Sequence, residues 1–129
     1  MIRLSVSGWF ALLIAAQGAH SIEEYETRLY DVFAPARFVS DRLGLDRPIG
    51  FIIANTLLVG FGLWCWLARV RPQRGAWRGF AWFWAVLESA NGTGHLLLAL
   101  AAGGYFPGLF SAPLLLGLGV TLALRLKAG

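Results

Sequence analysis

Two short stretches of this chain place histidines, carboxylates and an amide at helical spacing. The first is His20-Ser21-Ile22-Glu23-Glu24, where a long apolar segment ends. A helix turns by about 100° per residue, so Glu24 lies about 40° round from His20 and Glu23 about 60° the other way. The three side chains therefore share one helix face, where imidazole and carboxylate groups can bind a metal ion or transfer protons.

The second stretch runs from Glu88 to His95 and lies inside another apolar segment. On a helix Glu88 and His95 nearly superimpose, and Asn91 lies about 60° from Glu88. Ionisable groups within an apolar helix are costly and rare, and they usually face the interior of a bundle. The two stretches are therefore predicted to meet in one polar site.

An H-x-x-E-E motif near the end of a first apolar helix, followed by N-x-x-x-H in a later helix, resembles the HXXEE-domain family. The matching residues are His20, Glu23, Glu24, Asn91 and His95. The resemblance implies a small helical membrane protein with a shared polar site, and it extends over most of the chain. The family has no settled biochemical activity, so the resemblance does not identify a reaction.

The composition argues against an ordinary soluble domain. The chain has 129 residues, of which 57% are hydrophobic and 14% are charged, and its mean hydropathy is +0.63. These values predict one integral membrane domain, residues 1–129. The net charge of +4 comes from basic residues in loops and at the ends of apolar segments. They favour a role in membrane orientation and not nucleic-acid binding.

Four apolar segments predict an all-α, membrane-spanning four-helix bundle. The predicted spans are residues 4–20, 49–68, 79–102 and 108–124. The first helix is expected to continue to about Phe33, where Pro35 interrupts it, and residues 36–45 form a short amphipathic surface helix. Residues 1–19 also have the pattern of a secretory signal. We expect them to be retained, because cleavage would separate His20 from its helix.

Basic residues predict the orientation of this bundle. One side carries Arg3, Arg69, Arg71, Arg74, Arg78, Arg125 and Lys127. Cytoplasmic loops carry an excess of lysine and arginine. Both termini are therefore predicted to be cytoplasmic in the cell membrane, with residues 21–47 outside.

Helix rise predicts the depth of each polar residue in these spans. His20 lies about 25 Å along its helix from Arg3, and His95 about 24 Å from Gly79. The two imidazoles are therefore expected at one level, close enough for both to bind one ion. Asn55, in the second span, is expected about 10 Å below the outer surface, near the same polar group.

The predicted site has three kinds of member. The metal ligands are His20, Glu24 and His95, together with Asn91. The candidate catalytic bases are Glu23 and Glu88. The other polar members are Asn55 and Gln17. Two imidazoles with carboxylates suit zinc, or a non-haem iron or manganese ion.

A purely structural role is the alternative for part of this set. Polar side chains commonly join membrane helices by hydrogen bonds of roughly 0.6 kcal/mol, and Asn55 fits that description. Glu23 can equally be a solvated charge at a helix end. Four glycines are predicted mainly to allow close contacts between helices, with the floor of a pocket as the alternative: Gly60, Gly62, Gly92 and Gly94.

Three functions compete on this sequence. The first is a metal-dependent hydrolase or oxidoreductase acting on a lipid-like or hydrophobic small molecule, with Glu23 or Glu88 as general base. The second is a metal-free protein that binds, or an isomerase that acts on, a sterol or lipid. The third is a proton or cation pathway, which ranks last because the inner halves of the spans are mainly tryptophan, leucine and alanine.

The predicted orientation can be tested by replacing Asp41 with cysteine. An impermeant thiol reagent should label the D41C variant in intact cells, because residues 21–47 are expected outside. Labelling that requires permeabilised cells contradicts the orientation. Loss of residues 1–19 from the mature protein would instead establish the signal-peptide alternative.

Overall fold

The computed structural model describes residues 3–129, and these residues form six α-helices and no strand. The helices are α1 (Val6–Glu26), α2 (Leu29–Val32), α3 (Ala34–Leu43), α4 (Arg47–Cys65), α5 (Trp77–Ala102) and α6 (Ala112–Ala128). A π-helical turn, Trp66–Val70, extends α4 at its carboxyl end. The all-α class predicted from the sequence is confirmed.

The first helix ends earlier than predicted. It was expected to reach Phe33, but α1 ends at Glu26 because Arg28 adopts a left-handed backbone conformation with φ of 62°. The single turn α2 follows before the chain enters α3. Pro35 lies in the first turn of α3, where a fixed φ and a missing N–H are tolerated. Proline therefore begins the surface helix predicted for residues 36–45 instead of preceding it.

The core of the bundle forms where α1, α5 and α6 pack together. Phe10 and Leu13 of α1, Trp84 of α5 and Leu122 of α6 are fully buried. The rings of Phe10 and Trp84 meet edge to face, with centroids 6.4 Å apart. Such buried aromatic contacts add to the free energy gained from area alone, so they fix α1 against α5 close to the predicted site.

Two of the four glycines predicted at helix contacts are found there. A Cβ atom on Gly92 would lie 2.6 Å from the backbone oxygen of Ala112, and one on Gly62 would lie 2.7 Å from Ile14 Cδ1. The prediction is wrong for Gly60 and Gly94, because a Cβ atom on either would meet nothing within 4 Å. Those two glycines face open space beside their helices.

One helix of the described chain is long and apolar enough to cross a membrane. This is the continuous helix Arg47–Val70, whose most apolar stretch has a mean hydropathy of 1.8 and is only 17% buried. The exposed side chains include Leu57, with 68% of its surface accessible, and Leu67, with 54%. Within residues 3–129 the other predicted spans do not meet both requirements. The fold thus supports one of the four spans by length and composition.

The contact between α5 and α6 can be tested with two neighbouring glycines. Gly92→Ala should lower the free energy of unfolding by about 1–3 kcal/mol, because the new methyl group overlaps backbone atoms of α6. Gly94→Ala should be neutral or raise it by up to about 1 kcal/mol, since alanine favours the helix. Thermal unfolding in detergent, followed by circular dichroism, measures both. Equal effects would contradict the close contact.

Candidate metal centre

Two helices bring the two histidines of the chain together. His20 lies in the penultimate turn of α1 and is 0% exposed, and His95 lies in α5 and is 6% exposed. Their ring centroids are 4.6 Å apart, and the rings meet edge to face. The predicted proximity of the two imidazoles is confirmed.

The carboxylate of Glu24 lies between these imidazoles. Its Oε1 atom is 3.3 Å from His20 Nε2, and its Oε2 atom is 3.4 Å from His95 Nε2. One ligand atom from each of the three residues lies within 4.8 Å of the other two. Two ligands bonded to one tetrahedral zinc ion at about 2.0–2.1 Å are about 3.3 Å apart. The contacts match that spacing and are long for direct hydrogen bonds.

Hydrogen bonding places a proton on Nδ1 of the His20 ring. This atom is 2.6 Å from Ser111 Oγ, and that hydroxyl donates to Glu23 at 2.6 Å. A serine hydroxyl has one proton, so His20 Nδ1–H must supply the proton of the His–Ser bond. Nε2 is buried without a hydrogen-bond partner and is the nitrogen that faces Glu24. A metal ion between the two groups, or a second proton on the ring, would satisfy both.

Glu23 faces the segment before α6 instead of the two imidazoles. It accepts hydrogen bonds from Tyr105 Oη at 2.6 Å, Phe110 N at 3.0 Å, Ser111 N at 2.8 Å and Ser111 Oγ at 2.6 Å. Burial tends to raise the pKa of Glu23, which lies beyond the predicted span 4–20, but these donors outweigh it and lower the pKa to about 2. Glu23 is thus an anion that positions Ser111.

The remaining predicted site residues form a second polar group. Asn91 Nδ2 donates to Glu88 Oε2 at 3.2 Å and lies at the same distance from the Gln17 side-chain amide. That amide is hydrogen-bonded to Ser21 Oγ at 2.9 Å, and Ser21 donates to Asn55 Oδ1 at 2.7 Å. The structure therefore places the predicted ligand Asn91 and the predicted base Glu88 with Gln17, and not against the histidine pair.

Glu88 is 0% exposed and is held by hydrogen bonds. The side-chain oxygen position of Gln17 is 2.7 Å from Glu88 Oε2. Either the carboxyl group carries a proton or the Gln17 amide group is reversed, since two acceptors do not approach so closely. In both cases Glu88 and Gln17 are hydrogen-bonded, which links α5 to α1.

The sequence prediction missed two residues of the site, Gly108 and Ser111. The fourth helix was expected to begin at residue 108, but α6 begins at Ala112, and the preceding turn lies over the imidazoles. Gly108 has a φ of +96°, and a Cβ atom there would lie 2.6 Å from His95 Nδ1 and 2.8 Å from His20 Cε1. In the sequence, only the glycine-rich connection between the third and fourth predicted spans pointed to this region. Such a connection does not predict that the turn at Gly108 packs over the histidine rings.

No known protein family, curated protein or solved structure matches this chain in the comparisons made. The resemblance to the HXXEE-domain family therefore rests on its five motif residues. Function has to be argued from the chemistry of the site, because an all-helical fold is compatible with many functions.

The cover over the imidazoles can be tested with a pair of glycine variants. Both Gly108→Ala and Gly103→Ala place a side chain at positive φ, at +96° and +71°, but only the first also meets the histidine rings. We expect Gly108→Ala to shift the histidine Cε1–H signals in NMR spectra of histidine-labelled protein, which has two histidines. Gly103→Ala should leave both signals near their original positions. Similar shifts in both variants would contradict the close approach.

Proposed function

We propose that this protein is an integral membrane, metal-dependent enzyme, a hydrolase or oxidoreductase, that acts on a lipid-like or hydrophobic small molecule. His20, Glu24 and His95 would hold the ion. The observation that carries the proposal is that His20 Nε2 is buried without a hydrogen-bond partner, 3.3 Å from a carboxylate oxygen of Glu24. A bound cation would turn this contact into coordination.

The donor set narrows the choice of ion. Two imidazole nitrogens and one carboxylate oxygen suit zinc, or a non-haem iron or manganese ion, and leave further coordination positions for water or substrate. When bound, such an ion acts as a Lewis acid that activates water or polarises a substrate oxygen. The buried surroundings of the three residues would strengthen that effect by excluding bulk water.

The residues around the ligands would orient them. Glu23 and Ser111 hold His20 in the tautomer that leaves Nε2 free. Carboxylate and hydroxyl partners of this kind commonly change metal affinity by roughly 10–100-fold. We assign no direct contact with the substrate to Glu88, because its carboxyl group bonds Asn91 and Gln17.

The membrane arrangement is part of the proposal. Beside Arg47–Val70, the helices α1, α5 and α6 have 21, 26 and 17 residues. At about 1.5 Å per residue they are about 31, 39 and 26 Å long, comparable with a hydrocarbon core of about 30 Å. A four-helix bundle with both termini cytoplasmic would place the site in the outer half, where a substrate dissolved in the lipid could reach it.

A metal-free protein that binds a sterol or lipid, or an isomerase acting on one, is the second candidate. The contacts of 3.3 and 3.4 Å from Glu24 to the histidines are also ion-pair distances. A second proton on His20 would then be the cation opposite Glu24. The buried acid and imidazoles would in that case move protons on a bound ligand.

Metal retention separates the two candidates. Elemental analysis of protein purified in detergent should find one bound ion in the wild type, which His20→Ala, His95→Ala and Glu24→Gln lose because each removes a ligand. Glu23→Gln and Ser111→Ala should keep the site but weaken it by roughly 10–100-fold in a chelator competition. Glu26→Gln is the matched control, since Glu26 is exposed on the same helix.

Two outcomes would overturn the metal hypothesis. One is full retention of metal by both histidine variants, which would locate the ion elsewhere. The other is a wild-type protein that takes up no zinc, iron or manganese when these are supplied during purification. The metal-free alternative would then be the better account of the same three residues.

A further inference from the structure

A groove of about 530 Å³ runs between α1 and α4. The two helices are antiparallel, because Tyr25 stacks on Phe51 with centroids 6.4 Å apart and Ser21 bonds Asn55 further along. The walls of the groove are mainly apolar, and none of the three proposed metal ligands lines it. The groove is thus a separate feature that the proposed enzyme site does not explain.

Two glycines keep the groove open. Gly18 on α1 and Gly60 on α4 both line it, and a Cβ atom on either would meet nothing within 4 Å. Glycine within a helix costs about 1 kcal/mol relative to alanine, and helix packing does not require it at these positions. The missing side chains leave room for a guest between the helices.

The end of the groove near Tyr25 carries a negative charge. Glu26 is the one charged residue that lines it, and within residues 3–129 it has no ion-pair partner among the lysine, arginine and histidine side chains. The nearby cations Arg28 and Arg47 both face Asp31, at 2.7 and 3.7 Å. Beside Glu26 the groove is lined by aromatic rings, whose faces attract cations.

We propose that this groove binds an amphiphilic amine, a hydrophobic molecule with one cationic head group. The head group lies between Glu26 and the ring of Tyr25. The apolar body follows the groove past Gly18 and Gly60, and the separation of eight positions between Glu26 and Gly18 corresponds to about 12 Å of helix. A carboxylate beside aromatic rings at one end of an apolar groove fits an amine, and it disfavours a fatty acid by charge repulsion.

Photolabelling of the full chain in phosphatidylcholine nanodiscs tests this site. The probe is a long-chain alkylamine with a diazirine on its tail, and labelled residues are mapped by mass spectrometry. We expect labels within residues 18–26 and 52–63 that octadecylamine removes by competition. Octadecanol and octadecanoic acid should compete at least roughly threefold less well, because they lack the ion pair with Glu26.

Substitution of the two groove glycines tests whether the label binds in the groove. Gly18→Leu and Gly60→Leu should each reduce labelling at least roughly tenfold, because the new side chain occupies the groove. Both should fold, since leucine favours a helix and a Cβ atom at either position meets no protein atom within 4 Å. Gly117→Leu is the matched control, because Gly117 on α6 has the same open space outside this groove. It should label like the wild type.

Glu26→Gln tests the charge. It should remove the preference for octadecylamine over octadecanol. If Gly18→Leu and Gly60→Leu leave labelling unaffected, the groove is not the binding site and the labelling reflects partition into the bilayer. If Glu26→Gln still prefers octadecylamine over octadecanol, the proposed recognition of an amine by Glu26 is wrong. Metal content should stay at the wild-type level in all four variants, so failure here and failure of the proposed metal site are distinguishable.

Discussion

The burial of one carboxylate between two imidazoles is the constraint around which the rest of this bundle is arranged. An isolated ionised carboxylate is costly to remove from water, and it is tolerated only with a paired cation and hydrogen bonds. Glu24 is 7% exposed, and its two oxygens face His20 and His95. Helices α1 and α5 therefore meet at this level, where both imidazoles lie within ion-pair distance of the carboxylate.

The segment before α6 completes this arrangement from outside the two helices. The backbone at Gly108 lies against both imidazole rings, and Glu23 holds Ser111 by two hydrogen bonds. Adjacent carboxylates of one helix thus have different tasks, since consecutive side chains point about 100° apart. Glu24 faces the imidazoles, whereas Glu23 fixes the segment that covers and orients them.

Local regularity made part of this structure predictable. Helical rise and rotation located His20, Glu24 and His95, because those quantities depend only on spacing within a helix. The same spacing placed Asn91 on the correct face, but its hydrogen bonds go to Glu88, about two turns before His95 on α5, and to Gln17 of α1. Ser111 and the cover at Gly108 depend on the path of a loop, and the end of α1 depends on a left-handed arginine. None of these features follows from the spacing of residues along a helix.

Helix α1 lies between the proposed metal site and the proposed amine groove. His20 faces α5 and α6, whereas the next residue, Ser21, lines the groove toward α4 and joins Gln17 to Asn55. Helix α4 packs on α1 and α3 to a similar extent and only slightly on α5, so α1 is the helix that the groove shares with the histidine pair. Because His20, Ser21 and Glu24 all belong to α1, a rotation of α1 that adjusts the groove would also move His20 and Glu24 together against His95 and Ser111. The two proposed sites would therefore share one helix, although they share no ligand.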